Sequence, residues 1–478
     1  DGNTNGFIFK NYNGNEAQLV NADNGPMVFK TNDSERMRIG SGGEVGIGTN
    51  SPQRILHLYA NSSGDTIIVN PGIYFENITI DNKVLFIMSA NGPDSTIIDG
   101  SPNYSPVISF NNIMDSPIEI SGFTIQNGIG ELLSSGSRYG GGIISHNTAL
   151  TLDSILVENN EAFAGGAICI YNSYSSETES ILKNSTIQNN TASEGGGIFI
   201  INQYLNIINS YINNNGMVPF GSGGGIQALA ANINIESSII ENNQSRFGGG
   251  VYIGSSNSYI DKTIISNNIS DSHGGGVWVG SGSESEFVET LISDNVADGF
   301  GGGIFNYDAN IIIDKSTIAS NIILSTVSGA GVYTDIGNTV ISNSIIYFNR
   351  LENNDSINEN INGASANNFS EYDIEYSNIE ATQDWTPNGT GIIASNPDFI
   401  NDLYYLSETS VCIDAGNPNY TDPDGTRLDI GKYYYDQAAC DISGDFNNDN
   451  IINILDIVLI ANSILNNNIY NTCSDMND

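Results

Sequence analysis

Basic side chains are scarce in this sequence. Lysine and arginine number 14 against 54 aspartates and glutamates, so the 478 residues carry a formal net charge of −40 at pH 7. A surface with this charge repels the phosphates of nucleic acids and the head groups of anionic membranes. We therefore expect no nucleic-acid partner, whereas calcium is a natural ligand for so acidic a chain.

Long apolar runs and cysteines are also few. No run of about 18 apolar residues occurs, so the sequence predicts no membrane-spanning segment. Four cysteines are too few for a disulfide scaffold, although Cys440 and Cys473 flank one short segment and could be bonded in an oxidising compartment. We expect Cys169 to be a small packed apolar residue. The sequence shows no signal peptide and begins abruptly at Asp1, so we expect the numbering to start after a processed or omitted segment.

Glycine and asparagine are abundant, whereas strong helix formers are not. Glycine accounts for 53 residues, and charged residues make up 14% of the chain, against about a quarter in typical domains. Ile, Val, Thr and Tyr are plentiful, and these residue types favour half-buried strands. The composition predicts turn-rich β structure.

One phrase returns along the chain, as in IIENNQSRFGGGVYI at residues 239–253. Glycine triplets, two of them carrying an alanine, recur every 25 to 30 residues. Fixed periods in this range indicate a solenoid. The final positions of the triplets are Gly142, Ala167, Gly197, Gly225, Gly250, Gly276, Gly303 and Gly331. The aliphatic residues that follow them are Ile143, Ile168, Ile198, Ile226, Val251, Val277, Ile304 and Val332.

A row of asparagines has the same period. Three residues before each asparagine lies an aliphatic residue, and a further strand pattern such as NINIE precedes it. Three short strands per winding can bury their faces when windings stack about 4.8 Å apart. Asparagine suits one corner because it tolerates left-handed geometry and can bond to the same asparagine in the next winding. Glycine suits another corner that needs positive φ or close contact. The asparagines are Asn160, Asn190, Asn215, Asn243, Asn268, Asn295, Asn321 and Asn349.

Residues 65–100 have strands of similar length without glycine triplets. Their phrase PGIYFENITI resembles the start of right-handed parallel β-helix proteins of the pectate-lyase-like superfamily. This resemblance implies an all-β fold, a right-handed parallel β-helix of about eleven coils. It implies no single function, since the superfamily includes lyases, hydrolases, esterases, phage tailspikes and adhesins. The repeated coils also resemble chlamydial polymorphic outer-membrane proteins, which implies adhesion or scaffolding.

The two ends of the chain depart from the repeat. Residues 35–52, ERMRIGSGGEVGIGTNSP, resemble a phrase of phage tail fibres and large bacterial surface proteins. Residues 1–60 are therefore either a β cap over the first coil, which would cover an exposed edge, or a trimeric stalk. We assign residues 61–395 to the β-helix, 396–440 to a C-terminal cap and 441–478 to a further module. In the cap, Asp422, Asp424 and Asp429 either hold a cation or form an ordinary DPDG turn.

The phrase DFNNDNIINILD near the C-terminus has the spacing of a calcium loop. Oxygen ligands occur at loop positions 1, 3, 5, 9 and 12, and a backbone carbonyl occurs at position 7. Aliphatic residues at helical spacing follow, so the loop is expected to open a small α-helix. The expected ligands are Asp445, Asn447, Asp449, Asn453 and Asp456, with the carbonyl of Ile451.

This segment closely resembles one half of a type I dockerin. Asn450 replaces the usual glycine, and only one repeat is complete, since the second stops after CSDMND. The resemblance implies calcium as a cofactor. It also makes a cohesin-like partner an alternative to a stabilising or linking role.

Motifs for catalysis are absent from the linear sequence. Polysaccharide-degrading members of the superfamily use GHG with RxK, or a base beside calcium with RxPxxR, and neither set occurs here. His57, His146 and His273 lie in unrelated contexts, which gives no support to a Ser-His-Asp arrangement. A site assembled across coils would escape such motifs, so enzymatic activity stays open.

An aromatic row follows the glycine triplets at the second position. Alternation along the strand places this row opposite the inward aliphatic residues. Stacked aromatic rings on an exposed sheet suit the apolar faces of sugars, although they could equally stack on one another and stiffen the sheet. The candidate ligand-binding residues are Phe199, Tyr252, Trp278, Phe305 and Tyr333.

The sequence therefore favours a secreted or cell-surface rod with a structural or adhesive role. Such a rod could associate with copies of itself into a filament or bind surface polysaccharide. The alternatives are a polysaccharide lyase or glycoside hydrolase of the β-helix superfamily, and a phage-type tail fibre.

Overall fold

The computed structural model describes most of the chain. It covers residues 7–12, 16–21, 25–42, 45–47, 56–58 and 65–437, the last range without 82–83, 102, 114–117, 135, 174–178, 217–220, 326–328, 353, 359, 364–371, 382–388 and 402. Regular structure in these ranges consists of β-strands and contains no helix. The predicted all-β class is confirmed.

The central part of the chain is a parallel β-solenoid with three faces. Successive windings pair in parallel on each face, and faces 1 and 3 join into one 21-stranded sheet beside the 12-stranded sheet of face 2. Face 2 consists of Gly72–Phe75, Thr96–Asp99, Thr124–Gln126, Leu156–Glu158, Thr186–Gln188, Tyr211–Asn213, Ile239–Glu241, Ile264–Ser266, Leu291–Ser293, Thr317–Ala319, Ile345–Tyr347 and Asn378–Ile379. With one such strand per winding, the expectation of about eleven coils agrees with the structure.

The other two faces share two long strands, Ile304–Asp314 and Val332–Ser342, which pass from face 3 into face 1. Face 1 otherwise consists of Asp65–Val69, Leu85–Ser89, Ile118–Ser121, Leu150–Asp153, Glu179–Lys183, Tyr204–Ile208, Asn232–Glu236, Asn257–Asp261, Glu284–Val288 and Tyr372–Glu375. Face 3 otherwise consists of Ile78–Asp81, Ile108–Asn111, Ile143–His146, Ile168–Tyr171, Ile198–Ile201, Ile226–Leu229, Val251–Gly254, Val277–Val279 and Ile361–Gly363.

The core is built from the aliphatic rows that the sequence indicates. Ile143 pairs with Ile168, which pairs with Ile198, and the same register continues to Val332. These side chains are fully buried, as is the row that precedes the asparagines. Each buried aliphatic side chain contributes about 1.5–3 kcal/mol. The predicted stacking of windings in vertical register is confirmed.

The buried asparagines form a continuous ladder. Asn268 donates from its backbone N–H and from Nδ2 to Oδ1 of Asn295, each at 3.0 Å, and equivalent bonds run from Asn160 to Asn349. The left-handed conformation, however, belongs to the preceding residue, such as Asn267 with φ 55°. The expectation that the ladder asparagines themselves adopt this conformation is wrong, because their neighbour makes the turn while they point inward.

The glycine corner meets both expected requirements. The first glycine of a triplet has positive φ, for example 70° at Gly274. At the third position a Cβ on Gly276 would lie 2.7 Å from the carbonyl oxygen of Gly303 in the next winding. Backbone conformation therefore favours glycine at the first position. Close stacking leaves little room at the third position, where alanine occurs once, as Ala167.

A fourth, shorter row of strands lies between face 2 and the glycine corner in the later windings. The repeat pattern of the sequence does not predict this row. It consists of Gln244–Phe247, Ile269–His273, Val296–Ala297, Ile322–Ile323 and Arg350–Leu351, which pair in parallel, and Asn354–Asn358, which is antiparallel. Its first two strands end directly before the first glycine of a triplet, Gly248 and Gly274.

Two antiparallel hairpins and one small mixed sheet precede or interrupt the solenoid. One hairpin joins Phe7–Tyr12 to Glu16–Asn21, and another joins Glu131–Leu132 to Arg138–Tyr139. The four-stranded N-terminal sheet consists of Met27–Thr31, Ser34–Ile39, Val45–Ile47 and Leu56–Leu58. Its last strand contacts Ile78–Asp81 in the first winding, which is the contact that a cap requires. Trimerisation through this segment stays a prediction.

The segment after residue 396 lies along the outside of earlier windings. The Tyr404 ring packs against Leu291 and Ala319 on face 2. Nζ of Lys432 donates to the carbonyl oxygens of Glu289 at 2.6 Å and Thr263 at 3.4 Å, which belong to successive windings. The segment thus covers the side of the solenoid over several windings.

Candidate functional site

Two rows of side chains face each other across the glycine corner. The first is the predicted aromatic row of face 3, in which Tyr252, Trp278, Phe305 and Tyr333 pair in register. The second, the corner row, holds Phe247, His273 and Phe300, each immediately before the first glycine of a triplet. Because the intervening glycine has positive φ, the chain bends there, and both rows flank one groove.

The groove deepens into a pocket of about 280 Å³, here called the aromatic pocket. Three residues of the predicted row line it, together with three of the corner row and two residues of the long strands, located where each passes from face 3 into face 1. Its lining consists of Trp278, Phe305 and Tyr333, of Phe247, His273 and Phe300, and of Tyr307 and Asp335. Small-molecule sites are typically concave and mostly apolar with a few polar groups, and this pocket has that composition.

The rings of the aromatic row stack on one another along the solenoid axis. Tyr252 and Trp278 are nearly parallel, with centroids 4.2 Å apart and an interplanar angle of 3°. Phe305 stacks on Tyr333 at 5.7 Å and on His273 at 4.8 Å. The rings therefore stack on one another, as one of the two interpretations of the aromatic row expected. Phe305 and Tyr333 are buried in this stack.

Other parts of the aromatic surface stay accessible. Trp278 is half-buried, and Tyr307 has an exposed fraction of 42%. The centroids of these two rings are 6.2 Å apart. Gly280 lies beneath the indole of Trp278, where any Cβ would collide with the ring. Trp278 and Tyr307 thus offer aromatic surface at the mouth of the pocket.

The row is interrupted below Tyr252. Gln227 occupies the next position, and its buried Oε1 has no hydrogen-bond partner among the described residues. Glu194 lies near this break, and burial raises the pKa of its carboxyl group. Phe199 belongs to a separate cluster with Ile144, Ala164 and Cys169. The structure therefore brings four of the five predicted row residues together and leaves Phe199 apart.

His273 is the titratable base of the pocket. Burial lowers its pKa, an effect opposed by the nearby charge of Asp335 and reinforced by Arg246. The backbone N–H of Phe300 donates to Nδ1 of His273 at 3.0 Å. Since a nitrogen that accepts a hydrogen bond carries no proton, the neutral ring holds its proton on Nε2.

The repeat pattern predicted neither the corner row nor the two lining residues of the long strands, Tyr307 and Asp335. His273 was named only as a histidine without support for a catalytic arrangement, and Phe247 and Phe300 were not singled out. A signal for the corner row is present, because an aromatic residue or histidine stands directly before GGG in RFGGG, SHGGG and GFGGG. Tyr307 and Asp335 show no comparable pattern.

The predicted calcium ligands Asp445, Asn447, Asp449, Ile451, Asn453 and Asp456 lie outside the described residues, as do Cys440 and Cys473. Within the described ranges, no group of three or more His, Cys, Asp or Glu side chains is arranged to hold a metal ion. Asp422, Asp424 and Asp429 lie in these ranges and do not form such a group. The same ranges contain no helix that could span a membrane. Cys169 is buried and free, packed with Ile144 and Phe199 as expected.

These observations define a parallel β-helix protein. No protein-family model matches the chain, and neither does any curated protein. The fold is similar to that in the crystal structure of pectate lyase Pel9A, with a TM-score of 0.48 and 14% identity over 77% of this chain and 88% of that chain. A likeness at this level concerns the fold and carries no statement about activity.

Proposed function

We propose that this protein is an extracellular β-helix rod that adheres to surface polysaccharide through the aromatic pocket. The observation that carries the proposal is the meeting of Trp278, Tyr307 and the corner row around one open cavity. Aromatic rings offer apolar faces to the C–H groups of a sugar ring, while neighbouring polar groups meet its hydroxyls.

The position of the pocket supports an adhesive role. It lies on the flank of the rod, where the aromatic row and the corner row continue in register to Gln227 and Glu194 of earlier windings. A linear glycan running parallel to the axis would meet a new pair of side chains about every 4.8 Å. A rigid solenoid presents such a surface without first ordering it, which reduces the entropic cost of binding.

The proposal is tested by measuring glycan affinity through tryptophan fluorescence. The chain has two tryptophans, Trp278 and Trp385, so the Trp385→Phe background reports on the pocket alone. Trp278→Ala and Tyr307→Ala should each weaken glycan binding about tenfold, which corresponds to about 1.4 kcal/mol. Fluorescence measures the Tyr307 variant, whereas calorimetry measures the Trp278 variant because that variant lacks the reporter.

A matched control separates the pocket from general surface stickiness. Tyr259 lies on face 1 with an exposed fraction of 41%, close to the 42% of Tyr307. Tyr259→Ala should leave affinity unchanged. Equal losses in the two tyrosine variants would contradict the proposal. Appearance of unsaturated products during incubation, followed by ultraviolet absorbance, would favour the lyase alternative instead.

A further inference from the structure

The aromatic pocket contains two polar side chains that the stacking of rings does not use. His273 stands on the corner row, and Asp335 stands beyond the end of the face 3 pairing. They are close enough that the charge of Asp335 raises the affinity of His273 for a proton. A ligand in the pocket therefore meets both groups.

The imidazole of His273 can act only as a donor toward a ligand. Its Nδ1 already accepts the N–H of Phe300 at 3.0 Å. Gly299 packs against the same edge of the ring, where a Cβ would lie 2.6 Å from Cε1. The edge that carries Nδ1 is thus closed by the loop, and the remaining N–H is on Nε2.

Asp335 owes its position to an irregularity in the sheet. Thr334 pairs with Asn306, and Ile336 pairs with Tyr307, so Asp335 is an extra residue on its strand. Such β-bulges re-aim a side chain and are frequent beside functional sites. The carboxylate makes no hydrogen bond with the described residues, which leaves it available as an acceptor.

We propose that His273 and Asp335 make the pocket selective for a neutral sugar with two free hydroxyl groups. One hydroxyl accepts the Nε2–H of His273, and the other donates to the Asp335 carboxylate. This inference rests on the proposed glycan binding and specifies its ligand class. A uronate is disfavoured because its carboxylate would approach Asp335 in a chain that already carries a net charge of −40.

Arg246 is the group that could reverse this preference. Its guanidinium lies over the ring of Phe247, 5.0 Å from the centroid. It does not line the pocket, and it is exposed to solvent, where salt screens its charge. We therefore expect it to affect the rate of association more than the choice of ligand.

The test compares neutral and uronate oligosaccharides of equal length on the whole chain. His273→Asn keeps an acceptor near the Nδ1 position and removes the Nε2 donor, so neutral affinity should fall roughly threefold to tenfold. His273→Gln places an amide N–H near Nε2 and should recover part of this loss. Asp335→Asn should weaken neutral binding and strengthen uronate binding, which narrows the ratio of the two affinities.

The outcomes separate the two proposals. Wild-type binding that is unaffected by His273→Asn and Asp335→Asn would overturn this inference and leave the adhesive role intact. A wild-type preference for uronates would also overturn it. Failure of the wild-type chain to bind any oligosaccharide would overturn the proposed function as well. Thermal unfolding of each variant verifies that the solenoid is intact.

Discussion

Asn268 shows how much of the fold depends on single side chains. Its Oδ1 accepts the backbone N–H and the Nδ2 of Asn243, both at 3.0 Å. Its Nδ2 donates to Oδ1 of Asn295 at 3.0 Å and to the carbonyl of Ile240 at 2.9 Å. The residue is completely buried, so no water replaces these partners.

We predict that Asn268→Ala destabilises the solenoid by roughly 2–4 kcal/mol, because several buried groups lose their partners at once. The measurement is urea denaturation followed by circular dichroism. Asn234→Ala is the control, since Asn234 makes an exposed bond to Asn206 and its loss should cost less than about 1 kcal/mol. Equal midpoints for the two variants would contradict a structural role for the ladder.

Two neighbouring carboxylates should give opposite pH dependences. Burial, followed by the charge of Asp429, raises the pKa of Asp422 to about 7. Burial of Asp424 acts to raise its pKa, but hydrogen bonds from the backbone of Gln437 and Thr426 outweigh this effect, so its pKa is lowered. In the unfolded chain both values are about 3.9. Asp422 therefore costs stability progressively as pH rises from about 4 to 7, whereas Asp424 contributes stability that is lost as pH falls below about 4.

We predict that Asp422→Asn raises Tm by about 2 °C or more at pH 8 and has a smaller effect at pH 4. In the wild-type structure the backbone N–H of Asp429 donates to the carboxylate of Asp422 at 2.7 Å. In the variant, the amide oxygen of the asparagine can accept the same hydrogen bond. Asp424→Asn, the control, should lower Tm at pH 8. Calorimetry at both pH values provides the measurement, and a gain for Asp422→Asn that is independent of pH would refute the assignment.

At the scale of elements, the segment after residue 396 behaves as a strap on face 2. Tyr404 donates to Oδ2 of Asp294 at 3.1 Å while its ring packs on Leu291. Lys432 is buried enough to lower its pKa to about 8. The period of the repeat predicts neither contact, because each joins the non-repetitive C-terminal segment to a winding more than a hundred positions earlier.

We predict that Tyr404→Ala releases this strap locally at a cost of about 3–5 kcal/mol. Hydrogen exchange should accelerate in residues 399–437 while the strands of faces 1 and 3 stay protected. Tyr420→Ala is the control, since Tyr420 has an exposed fraction of 55%. Exchange that accelerates throughout the solenoid would show that the strap is not an independent unit.

At the scale of the whole molecule, the solenoid is a rod of roughly 50 Å, given about 4.8 Å per winding. Its strong negative charge favours solubility and disfavours close lateral contact at low salt. We therefore expect lateral association of copies to need salt or a shared cation. The predicted loop at Asp445–Asp456 is a candidate for that cation.

We predict that the whole chain takes up one calcium ion and gains helical circular dichroism on doing so, because ordering of the loop starts the helix after it. Asp445→Ala with Asp449→Ala should abolish both effects and leave the β signal unchanged. A chain that ends at residue 437 is the control. Calcium uptake by that shorter chain would place the site elsewhere.

The sequence by itself determined the solenoid: its period, its inward aliphatic rows and the residue types at its corners. These are repeated local signals, and residues one period apart become vertical neighbours in any stacked coil. Only the tertiary structure decided which outward rows meet. His273 reaches Phe305 through the positive φ of Gly274, and Asp335 joins them through a bulge. These contacts join residues of successive windings that lie at different positions of the repeat, so the spacing along the chain does not encode them.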